Sequence, residues 1–278
     1  MKISFVDFWS GFDPNNNFLF FLFREIYENL EVVNPINSNL IIYSCFGNEH
    51  LKYNQKKIFY TGENIRPNFN ECDYSLSFDI DDYGGKNIRL PLWYFYISWF
   101  DGINYSNPKF TLPVDQINDN IFIRKEKNKF CSTVYSNESK HRKDFFDILS
   151  LYKKVDGYGR PFNNWNSGED KKYEIISDYK FNICFENSDY LGYHTEKLFH
   201  AKTAGCIPIY WGSESVVKDF NEKCFINLKN FNEDLTLLSE YIKELDNNDK
   251  LYEEIKNEPL FITTPSLDEI IKKIKKII

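Results

Sequence analysis

No CxxC pair, no HExxH helix and no basic stretch ahead of the C-terminus occur in this sequence. Each absence removes a class of function. Nucleic-acid binding needs a positive stripe to neutralise phosphate, and the net charge here is −7. Zinc ribbons and dithiol redox sites need paired cysteines, whereas Cys45, Cys72, Cys131, Cys184, Cys206 and Cys224 stand apart. Several lie in apolar runs such as FNICFEN and GCIPIYW, where a thiol behaves as a small hydrophobe, so reduced, buried cysteines and a cytoplasmic setting are expected. Histidines 50, 141, 194 and 200 lack zinc-ligand spacing and read as packing or solvent-facing groups. The run FLFFLF at 18–23 is too short to span a bilayer. The opening MKISFVDFWSG reads as a strand, not a signal peptide. Without a secretion signal, the sequons Asn104–Tyr105–Ser106 and Asn137–Glu138–Ser139 carry no weight.

What is present is alternation. Apolar stretches rich in β-branched and aromatic residues predict strands at ISFVDFW, EVVNP, LIIYSCF, KKIFYTG and YSLSFD, with a helix over 18–30 and a helical aromatic block LWYFYISWF. Residues 101–127 are polar, contain prolines and read as a linker. The pattern then restarts: strand FCSTVYS, helix 142–152, strand KVDGYG, a Gly/Asn-rich loop, strand KFNICFEN, helix 195–204, strand CIPIYWG and helical segments near 214–219 and 232–245. Strands apolar throughout imply parallel sheets covered on both faces. The expected architecture is α/β, two Rossmann-like domains facing across a cleft. Their expected limits are 1–115 and 116–265, with a final helix, 266–278, packing back on the first.

Ligands of such sheets lie beyond the carboxyl ends of the strands. KFNICFEN therefore places Glu186 and Asn187 on a crevice rim. Thr195 is a good N-cap type and Gly205 a good residue to follow a helix. The free N–H groups at that helix start favour an anion. Lys197 in the first turn opposes the helix dipole unless an anion joins it. Solvated surface charges at Glu196 and Lys197 explain the position equally well. Arg142 repeats the geometry in the first turn after STVYS–NESKHR, and its guanidinium fork suits phosphate oxygens. Two cations placed alike argue for a diphosphate between them.

The blocks FENS, YHTEKLFHA and GCIPIYWGS resemble the α-1,3/4-fucosyltransferases, glycosyltransferase family ten. SNESKHRKDFFDILSLYKKVDGYG resembles the family's Arg-bearing segment, and FYTGENIRPNFNECDYSLSFD followed by IRLPLWY resembles the acceptor domain of bacterial members. The resemblance covers most of residues 58–228. It implies a GT-B fold, a GDP-fucose donor, a GlcNAc-containing acceptor glycan and inverting transfer to the GlcNAc 3-hydroxyl (the 4-hydroxyl in some members), with no cofactor required. By position, Glu63 is implied as general base and Arg142 and Lys197 as neutralisers of the diphosphate. Glu186, Asn187, Tyr193, Thr195 and Glu196 are implied around the donor. One departure is His194, where the family usually carries a β-branched apolar residue.

Two other readings compete. Asp79-x-Asp81 within DIDDYGG matches the tripeptide that holds a divalent ion in another glycosyltransferase fold, although acidic loops produce it often. A catalytically silent glycan binder would use Trp93, Tyr94, Tyr96 and Trp99 for stacking, although rings at helical spacing usually belong to a core. In the tail, Ser266 and Glu269 form a capping-box pattern. Isoleucines oppose lysines along it, which suits packing or peripheral contact with an anionic membrane. The heptads that precede the tail in some bacterial relatives are absent, so no coiled-coil dimer is implied.

Overall fold

The computed structural model describes residues 1–103, 105, 107–162 and 170–278. Asn104 and Ser106 of the first sequon, and residues 163–169 of the Gly/Asn-rich loop, lie outside the described residues. The chain forms two compact units, Met1–Leu112 with Pro265–Ile278, and Pro113–Thr264.

The first unit is built on an all-parallel six-stranded sheet of order β2-β1-β3-β4-β5-β6. Its strands are β1 (Lys2–Val6), β2 (Glu31–Val32), β3 (Leu40–Tyr43), β4 (Lys56–Tyr60), β5 (Tyr74–Ser77) and β6 (Asn87–Arg89). All four residues of β3 are buried, which explains its uninterrupted apolar run. β1 ends at Val6, short of its expected limit, because Asp7 turns the chain at φ +59°.

Helix α1 (Phe18–Arg24) starts where expected, with the Asn17 side chain accepting from the Phe20 N–H at 2.9 Å. It stops at Arg24 rather than 30 because the chain is drawn back to the sheet edge. There the N-terminal ammonium donates to Asn29 O at 2.7 Å and Glu31 N–H donates to Met1 O at 3.0 Å. The aromatic block is not an α-helix. Leu92–Tyr96 forms a 3₁₀ turn, and the Trp99 indole donates to Tyr94 O at 2.8 Å, taking a carbonyl that a continued helix would need. Trp93 and Tyr96 are buried, as core rings would be. Two short strands follow, β7 (Ile97–Ser98) and β8 (Leu112–Pro113).

The second unit holds an all-parallel five-stranded sheet of order β10-β9-β11-β12-β13, formed by β9 (Lys129–Val134), β10 (Val155–Tyr158), β11 (Tyr179–Ile183), β12 (Ile207–Tyr210) and β13 (Ile226–Asn227). Its helices are α2 (Lys140–Tyr152), α3 (Asp170–Ile176), α4 (Glu196–Thr203), α5 (Leu235–Asp246) and α6 (Asp249–Asn257). Phe145 and Leu149 of α2 and Leu238 and Ile242 of α5 pack with Phe181 and Ile183 of β11 in one core. The expected linker is only partly a linker, since Pro113–Lys127 belongs to this unit.

Lys127 anchors that segment. Its ammonium donates to the carbonyls of Phe122, Ser177 and Ala204, each at 2.8 Å. Burial pushes the group down to about 8, so it stays charged at neutral pH. Gly205, at φ +82°, leaves room for it, because a Cβ there would lie 2.6 Å from Lys127 Nζ. Lys127→Met keeps the stem and removes the ammonium from three carbonyls, of which Phe122 O keeps the Lys125 N–H as a donor. The expected cost is about 2–4 kcal/mol, read from the denaturant midpoint.

The last helix, α7 (Asp268–Ile277), belongs to the first unit and buries Ile270 and Ile274. The expected capping box does not form. Leu267 takes the N-cap, Ser266 Oγ accepts the Asp268 N–H, and Glu269 pairs with Lys272 at 3.4 Å. Among the described residues no helix is long and apolar enough to cross a membrane.

Candidate active site

In the second sheet β9 lies between β10 and β11, so the chain leaves β9 in one direction and β11 in the other. The crevice outside such a reversal is where open α/β sheets hold ligands. The register pairs Val134 with Tyr158 and Ile183 with Thr133, which brings the three strand ends level. Arg142 enters this edge from the first turn of α2, whose N-cap is Ser139. Its position in the helix is the expected one. Its burial is not: Arg142 is 3% exposed.

The guanidinium is held by backbone and amide oxygens. Nη2 donates to Phe185 O at 2.6 Å and Asn187 Oδ1 at 2.8 Å, Nε to Phe185 O at 3.2 Å, and Nη1 to Asn137 O at 2.7 Å. The Tyr135 ring centroid lies 5.2 Å from its central carbon. Burial draws Arg142 below its usual value and the Glu186 carboxylate opposes the shift. An arginine remains a cation under either influence.

Lys197 meets the same tripeptide at the Glu186 side chain. Its ammonium donates to Glu186 Oε2 at 2.8 Å and Thr195 Oγ1 at 2.7 Å. Both cations thus converge on Phe185–Glu186–Asn187, the residues that leave β11. Burial works against the charge on Lys197, but Glu186 and Glu196 more than offset it and raise the group above its usual value. Glu196 is held well below the carboxylate range: burial opposes this, and Lys197, Lys172 and His200 outweigh it.

The Glu186 side chain has no exposed surface. Its Oε1 accepts from Thr195 N–H at 2.8 Å, and its Oε2 accepts from Thr195 Oγ1 at 2.8 Å. Thr195 is the N-cap of α4, as expected, but its hydroxyl serves Glu186 instead of its own helix. Gly212 makes the space, since a Cβ there would stand 2.4 Å from the Tyr210 hydroxyl and 3.0 Å from Glu186 Cγ. The anion beside Lys197 is therefore first a buried carboxylate of the chain itself. Tyr193 is 2% exposed.

Residues absent from the sequence reading complete the cluster. Lys172 of α3 approaches Glu196 to 3.9 Å and donates to His200 Nδ1 at 2.8 Å. No local pattern marks it, because the helix that carries it lies beyond the Gly/Asn-rich loop. His194 neither faces solvent nor packs as a plain ring. Its Nδ1 lies 2.6 Å from Asp219 Oδ2 and its Nε2 2.9 Å from Ser215 Oγ. In the first unit, Glu63 follows β4 on an exposed loop, where its N–H donates to Thr61 Oγ1 at 3.0 Å.

The Asp79-x-Asp81 carboxylates are occupied in shaping their own loop. Asp79 is 5% exposed, lies 3.1 Å from Arg66 and accepts from the Tyr83 hydroxyl at 2.9 Å. Asp81 accepts from the Tyr83 N–H at 2.8 Å. Asn87 Nδ2 donates to the carbonyls of both residues. Among the described residues no group of three or more His, Cys, Asp or Glu is arranged to hold a metal ion.

Comparison with known proteins decides the family. The family model described as the Alpha-(1,3)-fucosyltransferase FucT N-terminal domain matches residues 3–96, and that for Glycosyltransferase family 10 (fucosyltransferase) C-term matches residues 124–256. A crystal structure titled as an alpha1,3-fucosyltransferase with GDP-fucose superposes with a TM-score of 0.77 at 30% identity, covering 99% of this chain and 89% of that one. The chain belongs to glycosyltransferase family 10, the fucosyltransferases. Its α/β fold is the fold of this family's solved members. The alpha-(1,3)-fucosyltransferase FucT of Helicobacter pylori is 34% identical over 91% of this chain, which spans 58% of that protein's length. Human GDP-fucose protein O-fucosyltransferase 3 is 33% identical over 40% of the chain and 26% of its own length. The latter stretch amounts to 123 residues, so this likeness concerns only part of either protein.

Proposed function

We propose that the protein transfers fucose from GDP-fucose to the GlcNAc 3-hydroxyl of a LacNAc-type glycan, with inversion at the anomeric carbon. The observation that carries this reading is the pair of cations, Arg142 and Lys197, gathered on one tripeptide at the switch point of the second sheet. In this reading the second unit is the donor-binding domain and the first the acceptor domain.

As the bond to fucose breaks, negative charge grows on the β-phosphate of GDP. Arg142 and Lys197 stabilise that charge without reorganising, because protein oxygens already hold both in place. Glu186 is the tether: it fixes Lys197 and the start of α4 together. Asn187, Tyr193, Thr195 and Glu196 line the donor. Glu63 accepts the proton of the attacking hydroxyl. A diphosphate leaves without protonation, so a single base suffices. The exposed lysine face of α7 fits peripheral contact with an anionic membrane surface, and the free cysteines fit the cytoplasm.

The test is incubation with GDP-fucose and a panel of GlcNAc-containing oligosaccharides, with product linkage assigned by NMR. An α-1,3-fucosylated LacNAc product is expected, and it should still form in excess EDTA. Complete loss in EDTA, restored only by manganese, would overturn the cation site and return Asp79-x-Asp81 to consideration.

A further inference from the structure

The first sheet has a switch point too. β1 lies between β2 and β3, and the loops that follow β1 and β3 flank the reversal. The register pairs Val6 with Tyr43 and Tyr43 with Phe59, so the loops after β1, β3 and β4 start at one level of the sheet.

The loop after β1 reads DFWSGF, and Asp7 stands at φ +59°. Such backbone costs about 1–3 kcal/mol and persists only where the surroundings impose it. They do so here. Asp7 Oδ1 accepts from Glu49 N–H at 2.8 Å, and Oδ2 accepts from His50 N–H at 3.0 Å and lies 2.6 Å from His50 Nδ1. Gly47 leaves the room, since a Cβ there would sit 2.4 Å from Asp7 Oδ1. Phe46 N–H donates to Asp7 O at 3.0 Å. The loops after β1 and β3 are locked together.

What the lock presents is aromatic. Phe8 stacks on Phe12 at 4.0 Å, and Trp9 meets Phe12 at 5.2 Å and Phe46 at 6.1 Å, both edge-on. None of the four rings is buried, and Phe46 is 51% exposed. Phe8 also lies parallel to Tyr60, at 6.4 Å, and the loop after Tyr60 carries Glu63. Exposed Ser10 and Asn48 interrupt the patch with polar groups. A stable protein contact buries about 800 Å² per partner, which a few part-covered rings with polar neighbours do not offer. One face of a pyranose does match. It sets electropositive C–H groups against the negative faces of the rings and directs hydroxyls to the rim.

We propose that Trp9 and Phe46, backed by the stacked pair Phe8 and Phe12, form a stacking platform for one pyranose ring of the acceptor glycan, beside Glu63. The proposal rests on the fucosyl-transfer reading above. Trp9→Ala and Phe46→Ala are expected to raise the KM for LacNAc at least about 10-fold without raising the KM for GDP-fucose, and Trp9→Phe to restore most of the loss. Phe46→Ala, at a half-exposed ring, decides the matter if Trp9→Ala does not fold. Unchanged LacNAc KM in the folded variants overturns the platform. So does a wild-type dimer, seen by ultracentrifugation, that these substitutions dissociate without moving the LacNAc KM. If the wild type is inert toward GDP-fucose, the transfer reading itself fails. Saturation-transfer NMR of LacNAc then judges the platform alone: weaker sugar signal in Phe46→Ala supports it, and equal signal overturns it.

Discussion

Lys197→Ala is expected to lower the turnover number by about 10²-fold or more, the scale for removing a pre-positioned electrostatic group. The loss should fall on kcat rather than on GDP-fucose affinity, because charge on the leaving diphosphate grows toward the transition state. The structure adds a second consequence. Lys197 is the ion-pair partner of Glu186, whose side chain is fully buried. Removing the ammonium leaves that carboxylate, among the described residues, with only Thr195 as a hydrogen-bond donor. Breaking such a pair from one side costs about 3–5 kcal/mol, so the variant should melt earlier. Lys197→Ala combined with Glu186→Gln removes the stranded charge. The double variant should recover much of the stability and none of the turnover. If turnover returns with stability, Lys197 acts only by holding the fold. Arg142→Lys is a companion measurement. A single ammonium cannot reach Phe185 O, Asn137 O and Asn187 Oδ1 together, and a comparable fall in turnover is expected.

Glu63→Gln is expected to slow transfer at least about 10²-fold, the usual worth of a general base, while GDP-fucose binds with wild-type affinity by calorimetry. The substitution preserves size and an acceptor oxygen but removes the carboxylate that takes the proton. Glu63 suits this experiment because its carboxylate has no hydrogen bond or ion pair among the described residues, its local bonds being made by the backbone. The variant should therefore fold as the wild type does, and its melting temperature checks that. Wild-type transfer in Glu63→Gln would assign the base to another carboxylate.

Much of the fold was legible because its strands are buried on both faces. LIIY and IPIY are apolar without a break, and both proved to be fully buried parallel strands. The helix start at Thr195 and the stop at Gly205 followed from caps that depend on neighbours a few residues away, whereas the cap at Ser139 starts α2 two residues before the expected 142. The elements misread or missed are those that distant contacts decide. The first helix is cut short where the chain returns to pair with β1, with Glu31 N–H donating to Met1 O. The aromatic block is bent by the Trp99 indole. α3, with its Lys172, was hidden beyond a polar loop.

The same division runs through the site. That Arg142 and Lys197 are cations in first turns beyond strand ends is a local property, and pattern alone was enough for it. That both are bound to the residues leaving β11, one through carbonyls and one through a buried carboxylate, is not. Arg142 and Asn187 are 45 residues apart, and only the sheet order β10-β9-β11 makes them neighbours. The sequence by itself determined which residue types stand at the strand ends, since spacing and capping are set within a turn or two. The tertiary structure decided which charges meet and how deeply they are buried. Burial and pairing set the strength of a charge in a protein, and both arise from packing between segments that lie far apart along the chain.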